Sequence, residues 1–366
     1  MVLPFTIKEI IMAFVELKHN KIRGIAACVP SRIEENIESH LMPKEDIQKF
    51  INATGIERRH CVDPGVCTSD LCQKAAQKLL NELDWDSSSI DLLVFVSHTT
   101  DYRLPSTSCL LQDRMGLPKS CIAFDVTLGC SGFLYGLSII GKLMSKTVKR
   151  ALLMVGNTQS VLMSPQDKST YPLFGDAGTV TALEYVEEGW GDEMIFNYKT
   201  DGAGGKYTII PDGGCRNPIT AKSFENEPIT EDGVVRNRMQ YHMDGVEIFS
   251  CAVNEVPKCI NELCDNYCLN KDDFDYFLIH QANKYMCEKI RKKAKISEDI
   301  TPYNISNFGN TSGATIPLLM VTNLQKDLYD RNLNLLTATI GVGFSFGAAQ
   351  IKTKGGIVVP DLLLYY

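Results

Sequence analysis

One cysteine of the chain lies between glycines at a predicted junction of strand and helix, where a nucleophile would be accessible. Cys130 stands within residues 125–133; residues 122–127 predict a buried strand, and the apolar positions of residues 133–144 recur at helical spacing. The backbone N–H groups at such a helix start should favour a thiolate. A small buried cysteine in the core is the alternative, so the assignment depends on chemical partners elsewhere in the chain.

Two polar turns could supply those partners. His280 follows a predicted strand at residues 274–279, and Asn310 lies in a glycine-punctuated polar loop before an apolar helix. Each turn has an ordinary explanation, as an exposed strand end or a helix cap. Strand ends of α/β proteins are also where active groups gather.

The three residues form one coherent chemical set. A Cys130 thiolate could attack an activated acyl carbonyl while backbone N–H groups stabilise the oxyanion. His280 and Asn310 could then donate hydrogen bonds to the enolate oxygen that forms when a malonyl thioester loses carbon dioxide. Decarboxylation itself generates the carbanion, so condensation needs no external base.

Alternating strands and helices must position these groups, which indicates α/β layers. Residues 89–96 weakly resemble residues 271–278, which suggests two similar halves with a boundary near the glycine-rich region 187–244. The glycines there precede no Lys-Ser/Thr pair, so they are interpreted as turn residues over the site. The remaining predicted segments include strands at 92–97, 151–156 and 179–184 and a strand at 336–340 that continues into 347–353. The predicted helices begin near 68–70 and cover 130–146 and 245–267.

Composition excludes several classes of protein. The chain has 366 residues, 44% of them apolar, and a net charge of -7 without a basic run, which argues against nucleic acid as a partner. Its thirteen scattered cysteines match neither a disulfide framework nor a metal site, so a reducing cytoplasm is expected. Lys8 and Glu9 interrupt the apolar N-terminal stretch, so no signal peptide is predicted, and no segment predicts a membrane span.

Several short segments, in this order, resemble the β-ketoacyl-acyl-carrier-protein synthase III group of thiolase-like condensing enzymes. The resemblance spans most of the chain and implies a duplicated five-layer α/β/α/β/α fold, with residues 1–195 carrying the nucleophile and residues 196–366 the histidine and asparagine. It also implies a homodimer in fatty acid biosynthesis, no permanently bound cofactor, and acyl thioesters of coenzyme A or acyl carrier protein as substrates. The segments that carry it are residues 50–60, 104–106, 125–133, 174–176, 280–283, 309–312 and 341–344.

The same resemblance assigns roles to individual residues. Cys130 matches the nucleophile, and its N–H and that of Val342 match the two oxyanion donors. His280 and Asn310 match the pair that stabilises the enolate, and Lys284 matches a basic residue that docks the acidic carrier protein. The residues implied to contact the acyl group are Leu104, Leu173, Phe174 and Phe344.

The chain departs from the family at some positions. Phe50 and Ala53 stand where relatives that load acetyl-coenzyme A clamp the adenine between Trp and Arg, and Lys168 stands where a further Arg is usual. The primer is therefore expected on carrier protein rather than on coenzyme A. Leu104 replaces an aromatic residue, which suggests a longer or branched primer. His98, at a predicted strand end, is either a polar group of the site or, as favoured here, a packed histidine.

Decarboxylative condensation of a Cys-bound primer with malonyl-acyl carrier protein is the favoured reaction. The alternative is a cysteine-dependent acyltransferase that forms an ester or amide without decarboxylation and uses His280 as a base. A non-catalytic partner subunit is disfavoured because all three reactive residues are present. Thiolases are disfavoured because residues 341–347 contain no second cysteine.

Overall fold

The computed structural model describes residues 13–187, 189–227 and 233–366. Two predictions fall partly outside these ranges. One concerns the N-terminal stretch that was considered as a signal peptide, most of which lies outside. The other concerns the region predicted as loops over the site, of which six positions lie outside. Within the described ranges, no helix combines the length and apolar character needed to span a bilayer.

The described residues form α-helices and β-strands in alternation. The strands are β1 (Phe14–Pro30), β2 (Ile33–Glu35), β3 (Arg58–His60), β4 (Leu92–Val96), β5 (Ile122–Val126), β6 (Arg150–Asn157), β7 (Ala177–Tyr185), β8 (Asp192–Thr200), β9 (Thr208–Ile209), β10 (His242–Met243), β11 (Tyr276–Ile279), β12 (Asn332–Gly341), β13 (Ser345–Lys354) and β14 (Leu363–Tyr365). The helices are α1 (Lys44–Thr54), α2 (Thr68–Glu82), α3 (Thr107–Arg114), α4 (Gly132–Leu143), α5 (Gly245–Asn266), α6 (Lys284–Ala294), α7 (Ile305–Phe308), α8 (Thr315–Asn323) and α9 (Gln325–Asp330).

A ten-stranded sheet organises the molecule in the order β11-β12-β13-β8-β1-β7-β6-β4-β5, with β14 paired to β1. β1 and β8 lie antiparallel at its centre. On the side of β1, the pairs β1–β7 and β7–β6 are antiparallel and β6–β4 is parallel. On the side of β8, the pairs β8–β13 and β13–β12 are antiparallel and β12–β11 is parallel, which is the same pattern. β4 and β11, which contain most of the two similar sequence segments, are the fourth strands on their respective sides. The internal repeat of the sequence therefore corresponds to a repeat in strand order. The division between residues 195 and 196 stays a prediction, and that position lies inside β8.

Helices cover the sheet in layers. One core combines Phe133 of α4 and Leu319 of α8 with Leu153 of β6 and Leu335 of β12, so these two helices lie between strands of both halves. A second core joins α2 to the outer face of the first half, and a third joins α5 and α6 to the outer face of the second half. This arrangement confirms the predicted α/β/α/β/α fold.

Burial on both faces explains the apolar runs in the central strands. Residues 25–29 of β1 are buried without interruption because helices cover both sides of the sheet there. β12 and β13, expected as one continuing segment, are instead adjacent antiparallel strands joined by residues 342–344.

The strand that precedes the nucleophile is not buried, contrary to the prediction. β5 lies at the end of the sheet and pairs only with β4 among the described strands, and 48% of Ile122 is exposed. An apolar sequence cannot distinguish a strand covered by the same chain from an end strand of similar composition. The helix after it is also shorter than expected, since it begins at Gly132 rather than Cys130.

Candidate active site

Cys130, His280 and Asn310 line one cavity of about 480 Å³. Cys130 lies two residues before α4, His280 directly follows β11, and Asn310 lies between α7 and α8. The nucleophile therefore comes from the first half of the sheet and its two partners from the second. The structure brings together the three residues that the sequence singled out, while their catalytic roles stay predictions.

The Cys130 side chain is partly buried, and its Sγ lies 3.6 Å from Ser312 Oγ. The Cys130 carbonyl accepts a hydrogen bond from Thr339 Oγ1 at 2.7 Å, which fixes the turn. Burial raises the pKa of the Cys130 thiol, and hydrogen bonds from Ser312 and from the Cys130 backbone oppose this effect. The thiol therefore keeps its proton at neutral pH, where the helix start had predicted a thiolate, and its attack on an acyl group requires a proton acceptor.

His280 is held by its backbone and by its ring. Its N–H donates to the Ala338 carbonyl at 2.8 Å, which continues the pairing of β11 with β12. Nδ1 lies 2.7 Å from Thr315 Oγ1, and that hydroxyl donates to the Ser312 carbonyl at 3.1 Å. Because the hydroxyl proton is already used, we assign the ring proton to Nδ1, which leaves Nε2 as an acceptor. Burial lowers the pKa of His280 to about 4, so the ring is neutral at physiological pH and can accept the thiol proton.

Asn310 is oriented through both its side chain and its backbone. Its Oδ1 accepts the Ser312 N–H at 2.9 Å, so the amide NH₂ is the end left to donate. Its backbone N–H donates to the Leu173 carbonyl at 2.9 Å, and its carbonyl accepts from Gly175 N–H at 3.2 Å. The buried Arg59 guanidinium donates to the Phe174 carbonyl at 3.1 Å and so stabilises this supporting segment.

Of the other residues predicted to contact the acyl group or the oxyanion, all but one line the cavity. Leu173, Phe174, Val342 and Phe344 all line the cavity with Cys130. Leu104 does not line it, and 86% of its surface is exposed on the outside of the chain. Its predicted contact with the acyl group, which would be made across a dimer interface, stays a prediction.

Two of the three positions at which the sequence departs from the coenzyme A-binding pattern of the resembled family line the cavity or a groove beside it. Phe50 lines it, and Lys168 lines an adjoining groove. Lys284 is exposed, and its neighbours Asn283 and Tyr285 line the cavity. His98 packs beside the nucleophile turn, since a Cβ added at Gly129 would lie 2.7 Å from its ring.

Sequence reasoning missed four residues of this site. Tyr241, which packs edge-on against Phe174, and Thr208 line the cavity from the glycine-rich region that was interpreted as loops. No pattern in that irregular segment indicated them. Ser312 and Thr315 form hydrogen bonds with Asn310 and His280, and their position just after Asn310 was the only available signal.

Comparisons with known proteins match the chain to one enzyme family. Two family descriptions match the chain, 3-oxoacyl-[acyl-carrier-protein] synthase III over residues 124–202 and the C-terminal part of the same enzyme over residues 264–353. A β-ketoacyl-[acyl-carrier-protein] synthase III of Koribacter versatilis is 31% identical over 92% of this chain and 98% of its own length.

Solved structures extend the comparison to the fold. The crystal structure of a 3-oxoacyl-(acyl-carrier protein) synthase from Burkholderia xenovorans has a TM-score of 0.89 and 37% identity, covering 97% of this chain and 99% of its own. OleA of Xanthomonas campestris, at 18% identity, shares the fold with a TM-score of 0.76 over 92% of this chain and 98% of its own. A shared fold alone does not fix the reaction.

The buried imidazole beside the nucleophile turn should make folding sensitive to acid. Burial lowers the pKa of His98 to about 4, from 6.5 in an exposed histidine. Stability from this group is present above pH 6.5 and is lost as the pH falls towards 4, because the unfolded chain takes up the proton first. When the pH falls from 7 to 5, the free energy of unfolding of the wild type should drop by up to about 2 kcal/mol more than that of His98→Asn. Urea denaturation at the two pH values measures this difference. The exposed His40→Asn is the matched control, and equal losses in His98→Asn and wild type would contradict the prediction.

Proposed function

This chain belongs to the 3-oxoacyl-[acyl-carrier-protein] synthase III family, and we propose that it condenses a Cys130-bound acyl primer with malonyl-acyl carrier protein. The products are carbon dioxide and a β-ketoacyl thioester. The observation that carries this proposal is the presence of Cys130, His280 and Asn310 in one cavity, each held by hydrogen bonds to its surroundings. No cofactor takes part in the proposed chemistry.

The first half-reaction is transfer of the acyl group to sulfur. Cys130 gives its proton to Nε2 of neutral His280 and attacks the thioester carbonyl. The N–H groups of Cys130 and Val342 stabilise the tetrahedral oxyanion. When the intermediate collapses, the carrier thiolate leaves and takes the proton from the imidazolium, so His280 returns to its neutral form.

The second half-reaction forms the carbon–carbon bond. The malonyl carboxylate leaves as carbon dioxide, and its electron pair becomes an enolate whose oxygen accepts a hydrogen bond from the Asn310 amide. The enolate carbon attacks the acyl carbonyl on Cys130, and the cysteine leaves as a thiolate that takes a proton from solvent. With its ring proton on Nδ1, neutral His280 presents no N–H to the cavity, so Asn310 is the enolate donor in this scheme, and the predicted donation from His280 Nε2 would need the other neutral tautomer.

A cysteine-dependent acyltransferase that forms an ester or amide is the second candidate. The neutral, buried His280 with a free Nε2 favours it, because such a ring could deprotonate a hydroxyl or amine acceptor. The two reactions share the acylation step and differ in the acceptor. Asn310 discriminates between them, because only condensation needs a donor for an enolate.

Acyl carrier protein is the proposed partner, and the rim of the cavity supports it. Lys284 of α6 lies between Asn283 and Tyr285, which line the cavity, and Lys289 Nζ lies 5.1 Å from the centre of the Tyr285 ring. Val246 and Tyr285, which line the opening, are 79% and 53% exposed. An acidic protein with an apolar contact patch would complement such a surface. The adjoining groove carries Lys168 and suits the phosphate that both carrier-bound and coenzyme A-bound donors contain.

We also propose a homodimer, in which a second copy of the chain buries the exposed edge strand of the sheet. β5 exposes Ile122, and Tyr102 and Leu104 are 63% and 86% exposed in the segment just before α3, whose Thr107 N–H donates to Asp125 of β5. Exposed apolar side chains beside a free strand edge are typical of a subunit interface. We further place the protein in the reducing cytoplasm, which the thirteen free cysteines support.

The dimer can be tested by mass in solution. Light scattering after size-exclusion chromatography should give twice the mass of one chain, and Ile122→Glu should shift the protein towards the monomer because a charge would be buried at the interface. The wild type eluting as a monomer at micromolar concentration would contradict the proposal.

The two half-reactions should separate in variants. Cys130→Ala should accept no acyl group from acyl-carrier protein, as measured by intact-protein mass spectrometry. Asn310→Ala should be loaded like the wild type but should lose at least about a hundredfold in release of carbon dioxide from malonyl-carrier protein, because it removes an enolate donor. Loading of Cys130→Ala, or full condensation by Asn310→Ala, would contradict these roles.

Carrier docking should depend on Lys284. Lys284→Glu should lower kcat/KM for loading from acyl-carrier protein by about fivefold, because a basic contact becomes repulsive, while loading from acyl-coenzyme A stays unchanged. Lys326→Glu, on the distant helix α9, is the matched control. An equal loss with both donors would show that Lys284 acts on something other than the carrier.

A further inference from the structure

One residue, Ser312, contacts Cys130 and Asn310 directly and is linked to His280 through Thr315. Its Oγ lies 3.6 Å from Cys130 Sγ, and its N–H donates to Asn310 Oδ1 at 2.9 Å. Its carbonyl accepts from Thr315 Oγ1, the same hydroxyl that contacts His280 Nδ1 at 2.7 Å. Only 2% of its surface is exposed, so these contacts are made away from bulk water.

The backbone at Ser312 is unusual in a way that serves these contacts. Its φ is +54°, in the left-handed region that residues other than glycine rarely adopt. In this conformation the N–H turns back to Asn310 while the side chain reaches Cys130. A conformation of this kind persists only where surrounding contacts hold it, and such residues cluster at active sites.

Two glycines allow the Ser312 turn to approach the nucleophile. A Cβ added at Gly313 would lie 2.7 Å from the Gly129 carbonyl oxygen, and one added at Gly129 would lie 3.0 Å from Ser312 Oγ. Side chains at these positions would separate the two turns. The glycines in both turns therefore allow the Cys130 sulfur and the Ser312 hydroxyl to be neighbours.

We propose that Ser312 is the positioning residue of this active site and that its hydroxyl donates a hydrogen bond to the Cys130 sulfur as the thiol gives up its proton. The inference rests on Cys130 being the acylated nucleophile. Among the residues that the structure describes, Ser312 is the one whose hydroxyl contacts the sulfur, and a hydroxyl can follow the sulfur from thiol to thiolate by rotation. The backbone groups of the same residue hold Asn310 and, through Thr315, His280 in the orientations that the two half-reactions use.

Electrostatics agree with this geometry. The contact with Ser312 lowers the pKa of the Cys130 thiol, and so opposes the larger effect of burial. Without the hydroxyl, only the hydrogen bond from the Cys130 backbone would oppose the effect of burial on the pKa, and the thiolate would be rarer at neutral pH. A purely structural role for Ser312 would leave the titration of the thiol unchanged.

Alkylation of Cys130 by iodoacetamide measures this titration directly. The rate should be followed from pH 6 to pH 11 in wild type, Ser312→Ala and Ser312→Gly, with the modified residue identified by peptide mass spectrometry. Loss of the hydroxyl should move the midpoint upwards by about one pH unit in both variants, which slows alkylation about tenfold at neutral pH. Glycine adopts a positive φ freely, so Ser312→Gly removes the hydroxyl without backbone strain and remains informative even if Ser312→Ala unfolds.

A matched control removes another buried hydroxyl beside the nucleophile. Ser131 follows Cys130 in sequence, but its Oγ pairs with Ser345 Oγ at 2.7 Å rather than with the sulfur. Ser131→Ala should therefore alkylate with the wild-type midpoint. A wild-type midpoint in Ser312→Gly would overturn the proposal, as would an equal shift in Ser131→Ala. Because alkylation needs no carrier or malonyl group, its outcome is independent of whether condensation is the reaction.

Discussion

The close approach of two turns from opposite halves of the sheet is the constraint on which the active site depends. The turn around Cys130 and the turn around Ser312 meet where Gly313 leaves no room for a Cβ against the Gly129 carbonyl. α4 and α8, which follow these turns, both contribute side chains to the core of the central layer. The core that joins the two halves of the fold thereby also sets the distance between the nucleophile and its partners.

Burial has opposite effects on the two titratable groups of the site. It raises the pKa of the Cys130 thiol and lowers that of His280 to about 4, so both groups rest in their neutral forms at physiological pH. A neutral pair is compatible with the apolar cavity, since an isolated buried charge would be strongly unfavourable. Charge then develops only when substrate is bound, where the fixed N–H groups and the Ser312 hydroxyl can stabilise it.

The sequence predicted the elements that carry strong local signals. The flanking glycines of Cys130, the apolar strand before His280 and the polar loop around Asn310 each indicated a turn, and the family resemblance linked them. Local patterns could not indicate that β5 is an exposed end strand, because its composition matches that of a covered strand. They also could not indicate Tyr241 in the cavity or the left-handed backbone of Ser312, since both depend on contacts between distant parts of the chain.

Discharge of the acylated enzyme tests the central claim most directly. Wild-type protein loaded with acyl-carrier protein and freed of excess donor should be mixed with malonyl-carrier protein, and the mass of the enzyme should be followed together with released carbon dioxide. Condensation predicts that the adduct on Cys130 disappears with one equivalent of carbon dioxide and one of β-ketoacyl product. An adduct that is stable to malonyl-carrier protein but is removed by an alcohol or amine would contradict condensation and would favour simple acyl transfer.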